Sequence, residues 1–151
     1  MTLNVYWDDV KEGQKIPTWS RKTDFMNWNR YAAVNDEFVY IHMDDEAGRA
    51  ALNQPGAFGM GNLRWAYLHN MLRDWAGDEA WVVSIGCQFR AINNKNDVLT
   101  CEGTVTKKYE KDGMYLVDLE LNVANQKDEK TAPGQATVAL PTREGNQKLP
   151  K

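Results

Sequence analysis

Glu37-Phe38-Val39-Tyr40-Ile41-His42-Met43-Asp44-Asp45 sets a carboxylate five residues before a histidine, and Gly59-Met60-Gly61 follows fifteen residues past Asp44, at the head of an apolar run. An imidazole titrates near neutral pH, so a carboxylate beside it can exchange protons with a shared water. Glycines at a helix start leave backbone N–H groups bare at the positive end of the helix dipole. An acid/base pair facing such donors suits a reaction in which negative charge grows on an oxygen, which points to chemistry on a carbonyl substrate. The plainer reading of the same residues makes His42 a buried structural histidine and Glu37 a solvated loop charge.

These residues need elements to hold them. Phe25, Trp28, Tyr31 and Ala32 recur at helical spacing behind Thr23, so 23–34 is expected to be a short amphipathic helix with Thr23 as its N-cap. The loop after it carries Glu37 and His42. Asp44 is placed to cap a second short helix over 45–52, with Ala47, Ala50 and Ala51 turned inward, before Asn53-Gln54-Pro55-Gly56 breaks it. From Met60 to Trp75 apolar residues fall on so wide a face that this longer helix is expected to be buried on most sides, with Gly77 as its C-terminal cap.

Past Asp78 the texture changes to β-rich runs: 81–92, 98–109, 114–124 and 136–140, with Lys111-Asp112-Gly113 marking a hairpin. In the third run Tyr115, Val117, Leu119, Leu121 and Val123 alternate with a mostly polar set, so one face of the sheet covers something apolar. The expected fold is α+β: a curved antiparallel β-sheet wrapped around the long central helix, closed by an N-terminal strand over 14–20.

Composition bounds the rest. A chain of 151 residues suits one domain, taken as 1–141, followed by a polar tail over 142–151. With 18 basic against 21 acidic side chains the net charge is −3, which argues against a nucleic-acid surface. No run approaches the roughly 18 apolar residues of a membrane span, and the reading is a soluble cytoplasmic protein. Cys87 and Cys101 are not spaced as metal ligands or a redox pair; both read as core thiols, with a cross-strand disulfide as the alternative. No dinucleotide fingerprint is present, because Arg64 stands where its third glycine would. His69 reads as a solvent- or partner-facing histidine. Arg64, Arg90 and Lys107 read as surface charges, with phosphate contacts as their alternative use.

Tyr31-Ala32-Ala33-Val34-Asn35-Asp36-Glu37, followed by Ile41-His42-Met43-Asp44 and Ala47, resembles the signature of the MaoC-like dehydratases, the (R)-specific enoyl-CoA hydratases of the hotdog fold. In that family an aspartate stands five positions before the histidine. The resemblance extends over roughly 6–140, with Asn96-Asp97 where the family has Gly-Asp. Within the family it is similar to single-hotdog hydratase subunits of actinobacterial steroid side-chain breakdown, through Asp74-Trp75-Ala76-Gly77 and Ser84-Ile85-Gly86. Two departures stand out: Val39-Tyr40 replaces Asn-Pro, and glutamate replaces aspartate, which moves the carboxylate by about one methylene.

The resemblance implies a hydro-lyase, an enoyl-CoA hydratase or 3-hydroxyacyl-CoA dehydratase acting on an acyl-CoA thioester of fatty acid or steroid metabolism. Glu37 and His42 are the implied catalytic pair and the Gly61 N–H the implied oxyanion donor. Asp36 is the alternative carboxylate if the loop carries one extra residue. No metal or redox cofactor is implied, and the expected assembly is a homodimer or a heteromer with another hotdog chain. Two other classes stay open: a hotdog acyl-CoA thioesterase, which wants a carboxylate on the central helix where this chain has only Asp74 near the far end, and a non-catalytic hotdog subunit that binds acyl-CoA.

Overall fold

The computed structural model describes residues 4–145 and 148. Its elements run β1 (Trp19–Lys22), α1 (Phe25–Asn35), α2 (Asp45–Leu52), α3 (Gly61–Ala76), β2 (Trp81–Cys87), β3 (Val98–Lys111), β4 (Met114–Ala124) and β5 (Gly134–Ala139). All five strands join one antiparallel sheet in the order β1-β3-β4-β5-β2. Irregularities at Val105/Lys107 and Val82/Ser84 shift the register and add curl. Asp112 and Gly113 both take positive φ, so the β3–β4 hairpin turns where Asp-Gly foretold it.

The sheet wraps α3. Leu68, Met71 and Leu72 of that helix are buried together with Val105, Val117, Leu119, Leu121 and Val138 of the sheet. Each such side chain contributes about 1.5–3 kcal/mol by leaving water, so this contact anchors the molecule. The expected α+β architecture, a curved antiparallel sheet around a long helix, is the one observed.

Several local expectations need correction. The cap of α1 is Asp24, whose carboxylate accepts the Asn27 N–H at 3.0 Å; Thr23 is instead buried, its hydroxyl donating to the Asn94 and Asp97 carbonyls. On α2 only Gly48 is buried, while Ala50 and Ala51 face solvent. A Cβ on Gly48 would stand 2.3 Å from the Gly56 carbonyl oxygen, so glycine, not an alanine face, is what seats this helix. The N-terminal strand begins only at Trp19: residues 13–16 hydrogen-bond to 103–105, but Pro17 has no N–H to continue the ladder. The strand from Trp81 ends at Cys87, beyond which Gln88 and Arg90 donate to the Pro133 and Thr131 carbonyls outside regular pairing.

Both cysteines are free; Cys101 is buried, with its thiol pushed up to about 12 by burial, and Cys87 is half-buried. Of the tail expected over 142–151, residues 146, 147 and 149–151 lie outside the described residues. Thr142 is buried, and Arg143 donates to Asp9 at 2.7 Å. No helix among the described residues is long and apolar enough to cross a membrane.

Candidate active site

The loop between α1 and α2 carries the sequence motif, and backbone bonds dictate its path. Helix α1 ends in a left-handed residue, Asp36, at φ 52° and ψ 39°, whose N–H returns to the Ala32 carbonyl. Aspartate tolerates that conformation better than most side chains, because its short carboxylate can bond locally. The Glu37 N–H also reaches the Ala32 carbonyl, at 3.0 Å. Asp36 therefore forms the helix cap and is exposed, while Glu37 is half-buried and faces Tyr31, whose hydroxyl is pushed up first by burial and then by the Glu37 charge. The Glu37 carboxylate has no hydrogen-bond or ion-pair partner among the described residues.

Tyr40–His42 forms a single 3-10 turn, closed by the Met43 and Asp44 N–H groups on the Tyr40 carbonyl, both at 2.9 Å. Asp44 then caps α2 as expected, accepting the Ala47 N–H at 2.7 Å. That turn aims His42 at the segment entering α3. Its Nδ1 lies 2.7 Å from the Phe58 carbonyl oxygen, and the two rings meet edge to face at 5.3 Å. A carbonyl only accepts, so Nδ1 carries the hydrogen, and in the neutral ring Nε2 is the free base. Phe58 donates its own N–H to Ile41, and Gly59 donates to the Asn93 carbonyl at 2.7 Å, so the histidine and the helix mouth are tied into one backbone network.

Gly61 is the first residue of α3. Met60 precedes it with extended backbone and no side-chain cap, so the helix start carries no side-chain acceptor of its own. A Cβ at Gly61 would lie 2.7 Å from the Phe89 ring, which therefore rests on the glycine. The structure thus brings His42 and Gly61 to the two ends of one short segment, residues 58–61. It makes no direct Glu37–His42 hydrogen bond.

Residues without a signal in the motif hold this segment. Asp45 accepts the Ala57 N–H and the Lys95 ammonium, at 3.0 and 2.8 Å, and Lys95 also lies over the Phe25 ring. Lys95 first, and Ala57 second, hold the Asp45 carboxyl below its ordinary range. Arg64 is no surface charge: only 4% exposed, it donates to the Ala91 and Thr131 carbonyls at 2.6 and 2.9 Å, and burial lowers its pKa. It shares a helical face with Leu68, Met71 and Trp75, but its charge argued for the surface, and only the Ala91 and Thr131 carbonyls make its burial possible. Asn93 is 2% exposed with neither side-chain amide atom bonded. Asn96 has φ 72°, the left-handed conformation, at the place where the family resemblance puts a glycine. Asp74 is exposed near the far end of α3, and Arg90 and Lys107 contact Gln88 and Tyr109.

A groove of about 580 Å³ opens beside the motif, between one face of α1 and one face of α3. Tyr31 and Val34 of α1 and Leu63, Trp65 and Tyr67 of α3 form much of its wall. Among the described residues no cluster of three or more His, Cys, Asp or Glu side chains is arranged to hold a metal ion.

The sequence matches no protein-family model and no curated protein. Solved structures do resemble it. The R-hydratase PhaJ1 from Pseudomonas aeruginosa superposes with a TM-score of 0.83 at 19% identity, over 98% of this chain and 95% of that one. The (R)-hydratase from A. caviae involved in PHA biosynthesis gives 0.78 at 21% identity, over 88% and 98%. A chain of the ChsH1-ChsH2 complex from Mycobacterium tuberculosis gives 0.74 at 20% identity, over 86% and 98%. The chain has the hotdog fold of the R-hydratases and MaoC-like dehydratases, the fold that the residues around His42 foretold.

Proposed function

We propose that this chain is a MaoC-like enoyl-CoA hydratase, or in reverse a 3-hydroxyacyl-CoA dehydratase. The observation that carries the reading is the His42 Nδ1 to Phe58 bond, which leaves Nε2 as the base at the mouth of α3, where Gly61 bares its N–H. In the proposed step a water between Glu37 and Nε2 gives a proton to the base and its hydroxyl to Cβ of an α,β-unsaturated thioester. The double-bond electrons move onto the thioester oxygen, where the Gly61 N–H stabilises the enolate. The proton then passes to Cα, so that one water has been added. Glu37 is preferred to Asp36 as the carboxylate because Asp36 is committed to the exposed cap of α1.

The proposal extends to assembly. Strand β2 is a sheet edge, and Trp81 and Val83 on it are 51% and 40% exposed. A homodimer, or a heteromer with another hotdog chain, would cover that edge. Asp74, exposed at the wrong end of α3, does not supply the carboxylate that a thioesterase reading needs.

A second reading, a non-catalytic subunit that binds acyl-CoA, is favoured by the Glu37 carboxylate, which no hydrogen bond or ion pair among the described residues holds in place. Hydration of crotonyl-CoA, followed as loss of the enoyl thioester absorbance, separates the two. Glu37→Gln and His42→Ala should each lower kcat by about 10²-fold or more, the usual scale of general acid–base catalysis. Unchanged turnover in both would remove the hydratase reading.

A further inference from the structure

The groove between α1 and α3 has a composition that the hydration chemistry does not explain. Helix α1 turns Asn27, Arg30, Tyr31 and Val34 toward it, and α3 turns Leu63, Ala66, Tyr67 and Asn70, each set at the spacing of a single helical face. From Leu63 to Asn70 the groove follows α3 for about 10 Å, at 1.5 Å per residue. Its near end lies two residues from Gly61, and Tyr31 in its wall faces Glu37. A thioester held at Gly61 would therefore have this groove as the natural bed for its acyl group.

The polar residues of the groove are one-sided. Its two charged members are both arginines, Arg21 and Arg30, and no carboxylate lines it. Neither arginine forms an ion pair among the described residues. Arg21 is held over the Trp19 ring at 5.1 Å, which fixes a guanidinium against an apolar wall. Asp24, the nearby acid, is occupied by the Asn27 backbone and side-chain amides at 3.0 and 2.8 Å. Tyr67, only 4% exposed, stacks on Trp19 at 5.0 Å, yet its hydroxyl has no hydrogen-bond partner. A buried hydroxyl without a partner is destabilising, so a ligand oxygen within its reach would gain a hydrogen bond that the free protein lacks.

We propose that the groove selects an acyl group with an apolar body and a carboxylate at its distal part, received by Arg21 and Arg30 with the Tyr67 hydroxyl as a further donor. Guanidinium forks suit a carboxylate, and the aromatic walls suit the apolar body. This specificity rests on the hydratase reading for its thioester but not for its binding.

The test uses two pairs of medium-chain CoA thioesters, each pair identical except that one member ends in methyl and the other in carboxylate. One pair is 2-enoyl and reports turnover. The other is saturated and cannot be hydrated, so it reports binding alone, through the fluorescence of Trp19 and Trp65. The carboxylated member should bind about 10-fold or more tighter, a charge-assisted contact. Arg21→Gln and Arg30→Gln should collapse that ratio toward one, and Tyr67→Phe should reduce it. Both arginines are exposed, so loss of folding does not confound the result.

Equal binding of the saturated pair, or a ratio the arginine variants do not move, overturns the proposal even where the enoyl thioesters are hydrated. Arginine variants that weaken both members alike would assign the guanidiniums to the phosphates of coenzyme A and equally overturn it. A retained preference for the carboxylated saturated thioester with no hydration of either enoyl member would sink the hydratase reading and leave the groove's specificity standing.

Discussion

At the residue scale, the proposed site turns on which imidazole nitrogen is free. The Phe58 carbonyl selects Nδ1 as the donor, and that partner stands sixteen residues from His42, beyond the reach of any local pattern. That His42 and Gly61 lie at the two ends of one short segment agrees with local signals, a histidine at fixed distance from a carboxylate and a glycine at a helix start. Arg64 and Asn93 were not legible, because a charged or amide side chain reveals its burial only when the elements around it are in place. Gly61 offers a clean separation of stability from chemistry. The three atoms nearest a Cβ there all belong to the half-exposed Phe89 ring, which can swing away, so Gly61→Ala should keep its unfolding free energy within about 1 kcal/mol. The methyl and the displaced ring would crowd the proposed oxyanion donor. Hydration should therefore fall by about 10²-fold, the scale of losing one such donor, and paired denaturant melts and rate measurements check both halves.

At the element scale, α2 and the segment into α3 are held by one clamp, Asp45 against Lys95 and the Ala57 N–H. Because this carboxyl is lowered from its ordinary 3.8, chiefly by Lys95, the folded state binds its proton less tightly than the unfolded state does. Its stabilisation is therefore present above the ordinary carboxylate range and is lost as pH falls through the lowered value. Asp45→Asn should lower Tm near neutral pH, and the gap to wild type should close as the pH drops below that range; a gap constant with pH would show that the carboxylate charge is not what acts. The short helix itself was legible from the Asp44 cap, yet its inward face was not. Alanines suggested a packed stripe, whereas the approach of the 55–57 segment singles out Gly48, where a Cβ would strike the Gly56 backbone. The cap of α1 was misread in the same way. Thr23 and Asp24 are both good caps by type, and the Asn94 and Asp97 carbonyls claim the threonine hydroxyl only in the folded chain.

At the scale of the whole molecule, the proposed assembly would extend the sheet at the outer edge of β2. Wild-type protein is expected to run at twice the chain mass by light scattering, and Val83→Lys should weaken that association by about 10-fold or more, since a lysine on an edge strand opposes pairing. A monomeric wild type would rule out the homodimer. The sequence by itself determined the α+β architecture, because a wide apolar helix followed by alternating strands has one good way to bury both faces. It also determined where Glu37, His42 and Gly61 stand along the chain. The tertiary structure alone decided which nitrogen of His42 is free, that Arg64 is buried, and that Arg21 and Arg30 share one apolar groove with an unpartnered Tyr67 hydroxyl. Those outcomes depend on contacts between residues far apart in sequence, and no local spacing encodes which distant carbonyl or ring a side chain will meet.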